Sequence, residues 1–182
     1  VNLFEEQAAR TPEATAIIFE QQQLTYKQLN EKANQLAHYL RSKGVNEETL
    51  IPLCIERGLE MIIALLAILK AGGAYVPIDS AYPEERIKFM LEDTGASIVI
   101  SSKQCRPQLQ NIQSIQLIEV DNDWPLISNQ PNENVRTDVK PHNLAYIIYT
   151  SGSTAKPTGV MLDHAYMVNY VFAFAGYFSI NS

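Results

Sequence analysis

Strand-like apolar runs alternate with amphipathic helical patterns along the chain, and this alternation constrains the fold more than any other feature. The clearest helical pattern covers residues 25–44, where apolar residues recur at spacings of three and four and Gly44 follows the last turn. Strand-like runs such as "TLIPLCI" and "SIVISS" lie between such segments. Strands separated by helices of about 10 to 15 residues indicate βαβ units. The pattern predicts an α/β fold with a largely parallel sheet flanked by helices on both faces.

Residues 121–143 interrupt this alternation. The segment is polar, rich in asparagine and broken by prolines, so we expect a long connection with an ordered turn around Trp124 and Pro125. Beyond it, Asp163 is placed to cap a last helix. The sequence shows no internal repeat and no linker between domains, which predicts a single α/β unit.

Composition narrows the classes of partner. The net charge is −6 with a pI near 5.1, and the basic residues are scattered, which argues against nucleic acid or an anionic membrane as partner. The longest apolar run, residues 61–69, is too short to span a bilayer. The two cysteines lie far apart without metal-site spacing, and Cys54 falls in an apolar run that predicts burial. A reducing, cytoplasmic setting fits these features.

The stretch "YTSGSTAKPTG", residues 149–159, carries five Ser or Thr hydroxyls, two glycines and one lysine, and it follows the apolar run "LAYII". Small residues let backbone N–H groups approach an anion, and hydroxyls add neutral donors, so the composition is typical of a phosphate-binding loop. An ordinary surface turn has a similar composition and stays an alternative at this point. The spacing from Gly152 to Gly159 does not fit a Walker A motif, and no dinucleotide-binding glycine motif is present.

Three long stretches together resemble one family. "NLAYIIYTSGSTAKPTGVMLDH" resembles the phosphate-binding loop of adenylate-forming enzymes, specifically the adenylation domains of non-ribosomal peptide synthetases. "LTYKQLNEKANQLAHYL" and "LKAGGAYVPIDSAYPEERI" are similar to two earlier core motifs of that family, in the same order. The second of these favours peptide synthetases over acyl-CoA ligases. The resemblance covers nearly the whole chain and is weakest over residues 103–140.

The resemblance implies a two-step reaction. An amino acid carboxylate attacks the α-phosphate of Mg·ATP to give an aminoacyl-adenylate and pyrophosphate, and the acyl group then passes to the phosphopantetheine thiol of a carrier protein. It assigns no catalytic residue within this chain, but it assigns nucleotide phosphate binding to the loop and a Mg²⁺ contact to Thr154. The nucleotide-binding residues are Thr150, Ser151, Gly152, Ser153, Thr154, Lys156 and Gly159.

Two positions depart from the family pattern. Ala155 stands where the family has glycine, and Thr158 stands where it has lysine; Lys156 occupies a variable position and does not replace that lysine. We expect weaker handling of pyrophosphate as a result. The family residues that bind ribose, orient the substrate amino group and close the lid come later than Ser182. Residues 1–182 are therefore expected to be a fragment, the N-terminal portion of an adenylation domain, that does not complete adenylation alone.

Two other functions remain open. The chain could be a non-catalytic, degenerate module that contacts neighbouring synthetase domains, or a fragment of an acyl-CoA synthetase. The sequence does not select which amino acid is used. Among the histidines, His164 is expected to pack or cap rather than to approach the nucleotide, and His38 and His142 are expected to be exposed.

Overall fold

The computed structural model describes residues 1–110, 112, 115–150 and 157–177. The helical pattern of residues 25–44 forms α2, and the runs "TLIPLCI" and "SIVISS" form β3 and β5. In chain order the elements are α1 (Asn2–Arg10), β1 (Thr15–Phe19), β2 (Gln22–Thr25), α2 (Tyr26–Ser42), β3 (Leu50–Cys54), α3 (Leu59–Ala71), β4 (Ala74–Pro77), α4 (Glu84–Thr94), β5 (Ile98–Ser101), a 3₁₀ turn (Arg106–Gln108), β6 (Gln116–Glu119), α5 (Trp124–Ile127), β7 (Leu144–Thr150), β8 (Thr158–Asp163) and α6 (His164–Tyr177).

In the described part of the chain, six strands form one sheet in the order β6-β5-β3-β4-β7-β8. The strand pairs β3–β4, β3–β5, β5–β6 and β4–β7 are parallel, whereas β8 runs antiparallel to β7. The predicted, largely parallel sheet is therefore confirmed, and β8 adds an antiparallel edge. Strands β1 and β2 form a separate antiparallel hairpin beside the helices.

Helices cover both faces of this sheet, as predicted. Successive strand residues point to opposite faces, so β3 sends Ile51 and Leu53 towards α2 and α3, and Cys54 towards α4. The first face has the larger core, in which Leu36 of α2 and Ile68 of α3 are fully buried. Burial of these two apolar layers holds β7 at a fixed place in the sheet, and β7 leads into the predicted phosphate loop.

Helix α2 begins with a capping box. The Thr25 hydroxyl accepts a hydrogen bond from the Gln28 backbone N–H at 3.2 Å, and the Thr25 N–H donates to the Gln28 side chain at 3.0 Å. Because Thr25→Ala removes a partner of a free helical N–H group, we expect it to lower the free energy of unfolding by about 1 kcal/mol. Urea unfolding of the variant and the parent chain measures this. Thr25→Ser keeps the capping hydroxyl and serves as the control, and an equal loss in that variant would contradict the capping role.

The long connection before β7 is ordered by α2. It contains the short helix α5, at the expected turn, and its later residues accept hydrogen bonds from α2 side chains. The Asn34 amide donates to the Asn132 carbonyl at 2.7 Å, and the His38 Nε2–H donates to the Glu133 carbonyl at 3.1 Å. His38 is half-buried, so the expectation that it is simply exposed was wrong, whereas His142 is exposed.

Within the described residues, no helix combines the length and apolarity that crossing a bilayer requires.

Candidate functional site

The predicted phosphate loop joins β7 to β8. Tyr149 pairs with Gly159 and Thr150 pairs with Thr158, and the latter pair is the last before residues 151–157. Because β7 is parallel to β4, this loop leaves the sheet at the carboxyl edge of the parallel strands. Open α/β sheets bind their ligands at that edge.

Two of the predicted nucleotide-binding residues are described by the structure. Thr150 is exposed at the end of β7, and Gly159 is half-buried near the start of β8, so the two lie on opposite strands at the base of the loop. Thr158, where the family has lysine, is also exposed beside Thr150. The other residues on which sequence predictions rest lie outside the described residues: Ser151, Gly152, Ser153, Thr154, Ala155 and Lys156. Their phosphate contacts, and the Mg²⁺ contact of Thr154, stay predictions.

Gly159 is required by close packing across the hairpin. A Cβ atom at this position would lie 2.9 Å from Cγ2 of Ile147 and 3.4 Å from the ring of Tyr149, and both neighbours are buried in the core. The glycine therefore allows β8 to approach β7 directly below the loop. The sequence placed Gly159 among the phosphate-binding residues, but this packing role has no local sequence signal.

We expect Gly159→Ala to lower the free energy of unfolding by about 1–3 kcal/mol, because the added methyl group overpacks the hairpin. Urea unfolding measures the change. Gly176 in α6 offers a matched control, since a Cβ there meets nothing within 4 Å. Gly176→Ala should be neutral or stabilise by up to about 1 kcal/mol because alanine favours a helix. Equal losses in both variants would show that Gly159 is not specially constrained.

Tyr149 is a residue of this site that sequence reasoning missed. Its ring is buried in the core between the sheet and α4, and its hydroxyl donates a hydrogen bond to Oδ2 of Asp93 at 2.5 Å. Burial raises the pKa of the Tyr149 phenol, and the Asp93 carboxylate raises it further. The phenol therefore stays protonated and continues to donate at neutral pH. A tyrosine directly before the loop was visible in the sequence, but its distant partner was not.

The Glu56 side chain contacts two further polar side chains at the carboxyl edge of the sheet. Its carboxylate accepts hydrogen bonds from the Ser80 hydroxyl at 2.5 Å and, more weakly, from the Cys105 thiol at 3.8 Å.

Cys54 and Cys105 are both buried in the core on the α4 side, and both are free thiols. Burial, with Cys105 nearby, raises the pKa of Cys54 to about 12. The predicted packing role of Cys54 is confirmed, and a protonated, buried thiol is a poor nucleophile.

His164 lies at the other end of the hairpin from the loop. The length of β8 separates them by about 20 Å, since a strand rises roughly 3.3 Å per residue. Asp163 caps α6 by accepting the Tyr166 N–H at 2.7 Å, as predicted. His164 is buried, which lowers its pKa, and it lines a separate cavity of about 840 Å³ beside α1. The position fits a neutral packing histidine.

In the described residues, no group of three His, Cys, Asp or Glu side chains is arranged to hold a metal ion. The acidic pair Glu84 and Glu85 lies in the first turn of α4, where carboxylates interact favourably with the helix dipole.

A protein-family model described as "AMP-binding enzyme" matches residues 4–181. The chain belongs to this family. The match confirms the resemblance that the three sequence motifs indicated. It extends over nearly the whole chain.

The curated relatives are large synthetases. The chain is 48% identical over 170 residues to a linear gramicidin synthase of Brevibacillus parabrevis and 52% identical over 173 residues to bacitracin synthase 2 of Bacillus licheniformis. These alignments cover 93% and 94% of this chain but only 3% and 6% of the synthetases. The chain therefore spans only a small part of the length of these relatives.

Solved structures of peptide synthetases share the fold. The non-ribosomal peptide synthetase FmoA3, in its α-methyl-L-serine-AMP-bound form, is similar with a TM-score of 0.90 and 32% identity over 99% of this chain and 19% of that chain. The N-terminal subdomain of Klebsiella oxytoca NpsA, in complex with anthranilyl-AMSN, is similar with a TM-score of 0.76 and 30% identity over 90% of this chain and 40% of that one. The described sheet and helices therefore have the architecture of an adenylation-domain N-terminal subdomain.

Proposed function

We propose that this chain is the N-terminal part of an amino-acid-activating adenylation domain. The observation that carries this proposal is the hairpin β7–β8. It presents a hydroxyl-rich loop at the carboxyl edge of a parallel sheet, in a chain that belongs to the AMP-binding enzymes. The acyl-adenylate in the FmoA3 structure supports an amino acid as the group that is activated.

In the proposed reaction, a carboxylate oxygen of the amino acid forms a bond to the α-phosphorus of ATP, and the bond from that phosphorus to pyrophosphate breaks. A carrier-protein thiol then attacks the acyl carbonyl carbon and releases AMP. This chain contributes the positioning of the β- and γ-phosphates, through Thr150 and the hydroxyls of residues 151–154. Positioning and neutral donors account for its part, because no covalent step passes through the loop.

Mg²⁺ would neutralise part of the polyphosphate charge in this reaction. The donor chemistry around the loop fits this ion, since Mg²⁺ prefers oxygen ligands and the exposed Thr150 and Thr158 side chains at its base offer hydroxyl oxygens. We assign the protein contact to the hydroxyl of Thr154.

We further propose that residues 1–182 form only the N-terminal portion of the domain, in a cytoplasmic protein that also contacts neighbouring synthetase domains. Apolar side chains left exposed on α6 support this division, because clustered exposed apolar side chains commonly mark an interaction surface. Those exposed by at least half are Tyr166, Tyr170, Val171, Phe172 and Tyr177. Later residues of the same domain would cover them and would supply the groups that bind ribose and the substrate amino group.

ATP–pyrophosphate exchange in the full-length protein tests the function. With a panel of amino acids and of fatty acids, we expect exchange that depends on one or a few amino acids. Exchange or acyl-CoA formation with fatty acids alone would favour the acyl-CoA synthetase alternative. The 182-residue chain itself should give no exchange, because the later residues are required.

A non-catalytic scaffold is the second candidate, and the substitutions at Ala155 and Thr158 favour it. Under this alternative, the full-length protein would keep its contacts with neighbouring synthetase domains while it showed neither exchange nor Mg·ATP binding. Calorimetric titration of Mg·ATP separates the two candidates, since only the enzyme requires a nucleotide site.

A further inference from the structure

Tyr149 links the base of the loop to α4. The last turn of α4 carries Asp93 but no basic residue, and a carboxylate there interacts unfavourably with the helix dipole. The helix dipole therefore gives no reason for Asp93, whereas the 2.5 Å hydrogen bond from the Tyr149 hydroxyl does. A hydrogen bond to an ionised acceptor is among the stronger ones in proteins.

The same tyrosine contacts both strands at the loop. In β7 it directly precedes Thr150, and across the hairpin it pairs with Gly159, whose added Cβ would lie 3.4 Å from the tyrosine ring. A displacement of the Tyr149 ring would therefore move the Thr150–Thr158 pair, from which the loop starts and to which it returns.

We propose that Tyr149 and Asp93 are a positioning pair, which fixes the base of the phosphate loop relative to α4 and so sets the affinity for the polyphosphate of ATP. The ligand in this inference rests on the proposed function, whereas the positioning of the hairpin does not. Neither residue takes part in the chemistry, because both lie in the scaffold beneath the loop.

Two readouts on the full-length protein test the pair with Tyr149→Phe and Asp93→Ala. Amide hydrogen exchange of residues 149–159 should accelerate by about tenfold in each variant, since the lost bond is to a charged group. In ATP–pyrophosphate exchange, KM for ATP should rise by up to about tenfold, while KM for the amino acid stays unchanged. Asp93→Asn keeps an acceptor oxygen and should restore most of both properties.

Glu92→Ala is the matched control. Glu92 precedes Asp93, and its carboxylate forms an exposed ion pair with Lys88 at 3.9 Å, which contributes little. Tyr149→Phe combined with Asp93→Ala should behave like either single variant, because both remove one bond. Unchanged hydrogen exchange of the hairpin in both single variants would overturn the proposal, as would equal rises in KM for both substrates. Altered hydrogen exchange in a protein without any ATP–pyrophosphate exchange would retain the positioning pair and reject the proposed function.

Discussion

Glu5→Leu should lower the free energy of unfolding by about 3 kcal/mol, because it leaves the ammonium of Lys70 buried without a carboxylate. The Lys70 side chain is 0% exposed, and its Nζ donates to the Glu5 carboxylate and, at 3.4 Å, to Oδ1 of Asn134. Burial lowers the pKa of Lys70, and the bond with Glu5 counteracts part of that shift. Urea unfolding of the variant and the parent measures the loss.

Lys70→Met provides the matched control. Methionine has a similar length without the charge, and apolar replacement of one buried ion is tolerated better here because Glu5 keeps access to solvent at 20% exposure. We expect this variant to lose about 1 kcal/mol or less. The double variant Glu5→Leu, Lys70→Met should be more stable than Glu5→Leu alone. If Glu5→Leu proved equally harmful in both backgrounds, the loss would come from packing of α1 rather than from the unpaired charge.

The pH dependence of the free energy of unfolding tests the unpaired charge of Lys70 independently. The pKa of Lys70 in the folded state is lower than its ordinary value of 10.5, so between those two values the unfolded chain binds more protons and stability rises with pH. Removing Glu5 lowers that pKa further, so the interval in which stability rises with pH begins at a lower pH. The deficit of Glu5→Leu should therefore shrink as the pH rises through the interval below 10.5 in which the variant has lost the proton of Lys70 and the parent still holds it. The amino group of Val1 also interacts with Glu5, so any pH-dependent change that Glu5→Leu still causes in the Lys70→Met background measures the contribution of Val1, and only the excess over it belongs to Lys70.

The sequence predicted the sheet well because its signals are local. Alternation of apolar runs and amphipathic segments indicated α2, β3 and β5, and burial on both faces followed from the continuous apolar character of the strands. The β1–β2 hairpin was not predicted as a pair. Its turn contains Glu20 at a φ of 54°, a conformation in which glycine or asparagine is the usual signal.

Polar contacts over long distances in sequence were not predictable in this way. Oδ1 of Asn134 accepts hydrogen bonds from Asn30 and Asn34, both at 3.0 Å, in addition to Lys70. These donors come from α2 and α3, so nothing in the polar, proline-broken segment around Asn134 reveals them. The same holds at the candidate site, where composition indicated phosphate chemistry but the Tyr149–Asp93 bond depends on how α4 crosses the sheet.

Ala155→Gly combined with Thr158→Lys should raise the affinity for Mg·ATP by about ten- to a hundredfold. A lysine–phosphate hydrogen bond contributes roughly 1.5–3 kcal/mol, which by itself corresponds to about this gain in affinity. Thr158 is exposed and lies beside Thr150 at the base of the loop, so a longer side chain meets no core atoms there. Calorimetric titration of Mg·ATP into the full-length parent and variant measures the change, with pyrophosphate exchange as a second readout.

Two controls separate charge from other effects at this position. Thr158→Gln adds length without charge and should give no comparable gain, whereas Thr15→Lys adds the same charge on the distant hairpin β1–β2 and should leave affinity unchanged. An equal gain from Thr15→Lys would assign the effect to net charge, since the chain carries −6. Tight binding by the parent with no gain in the variant would show that the hydroxyl-rich loop holds the phosphates without the family lysine. The substitutions would then be neutral, and the scaffold alternative would lose the observation that favours it.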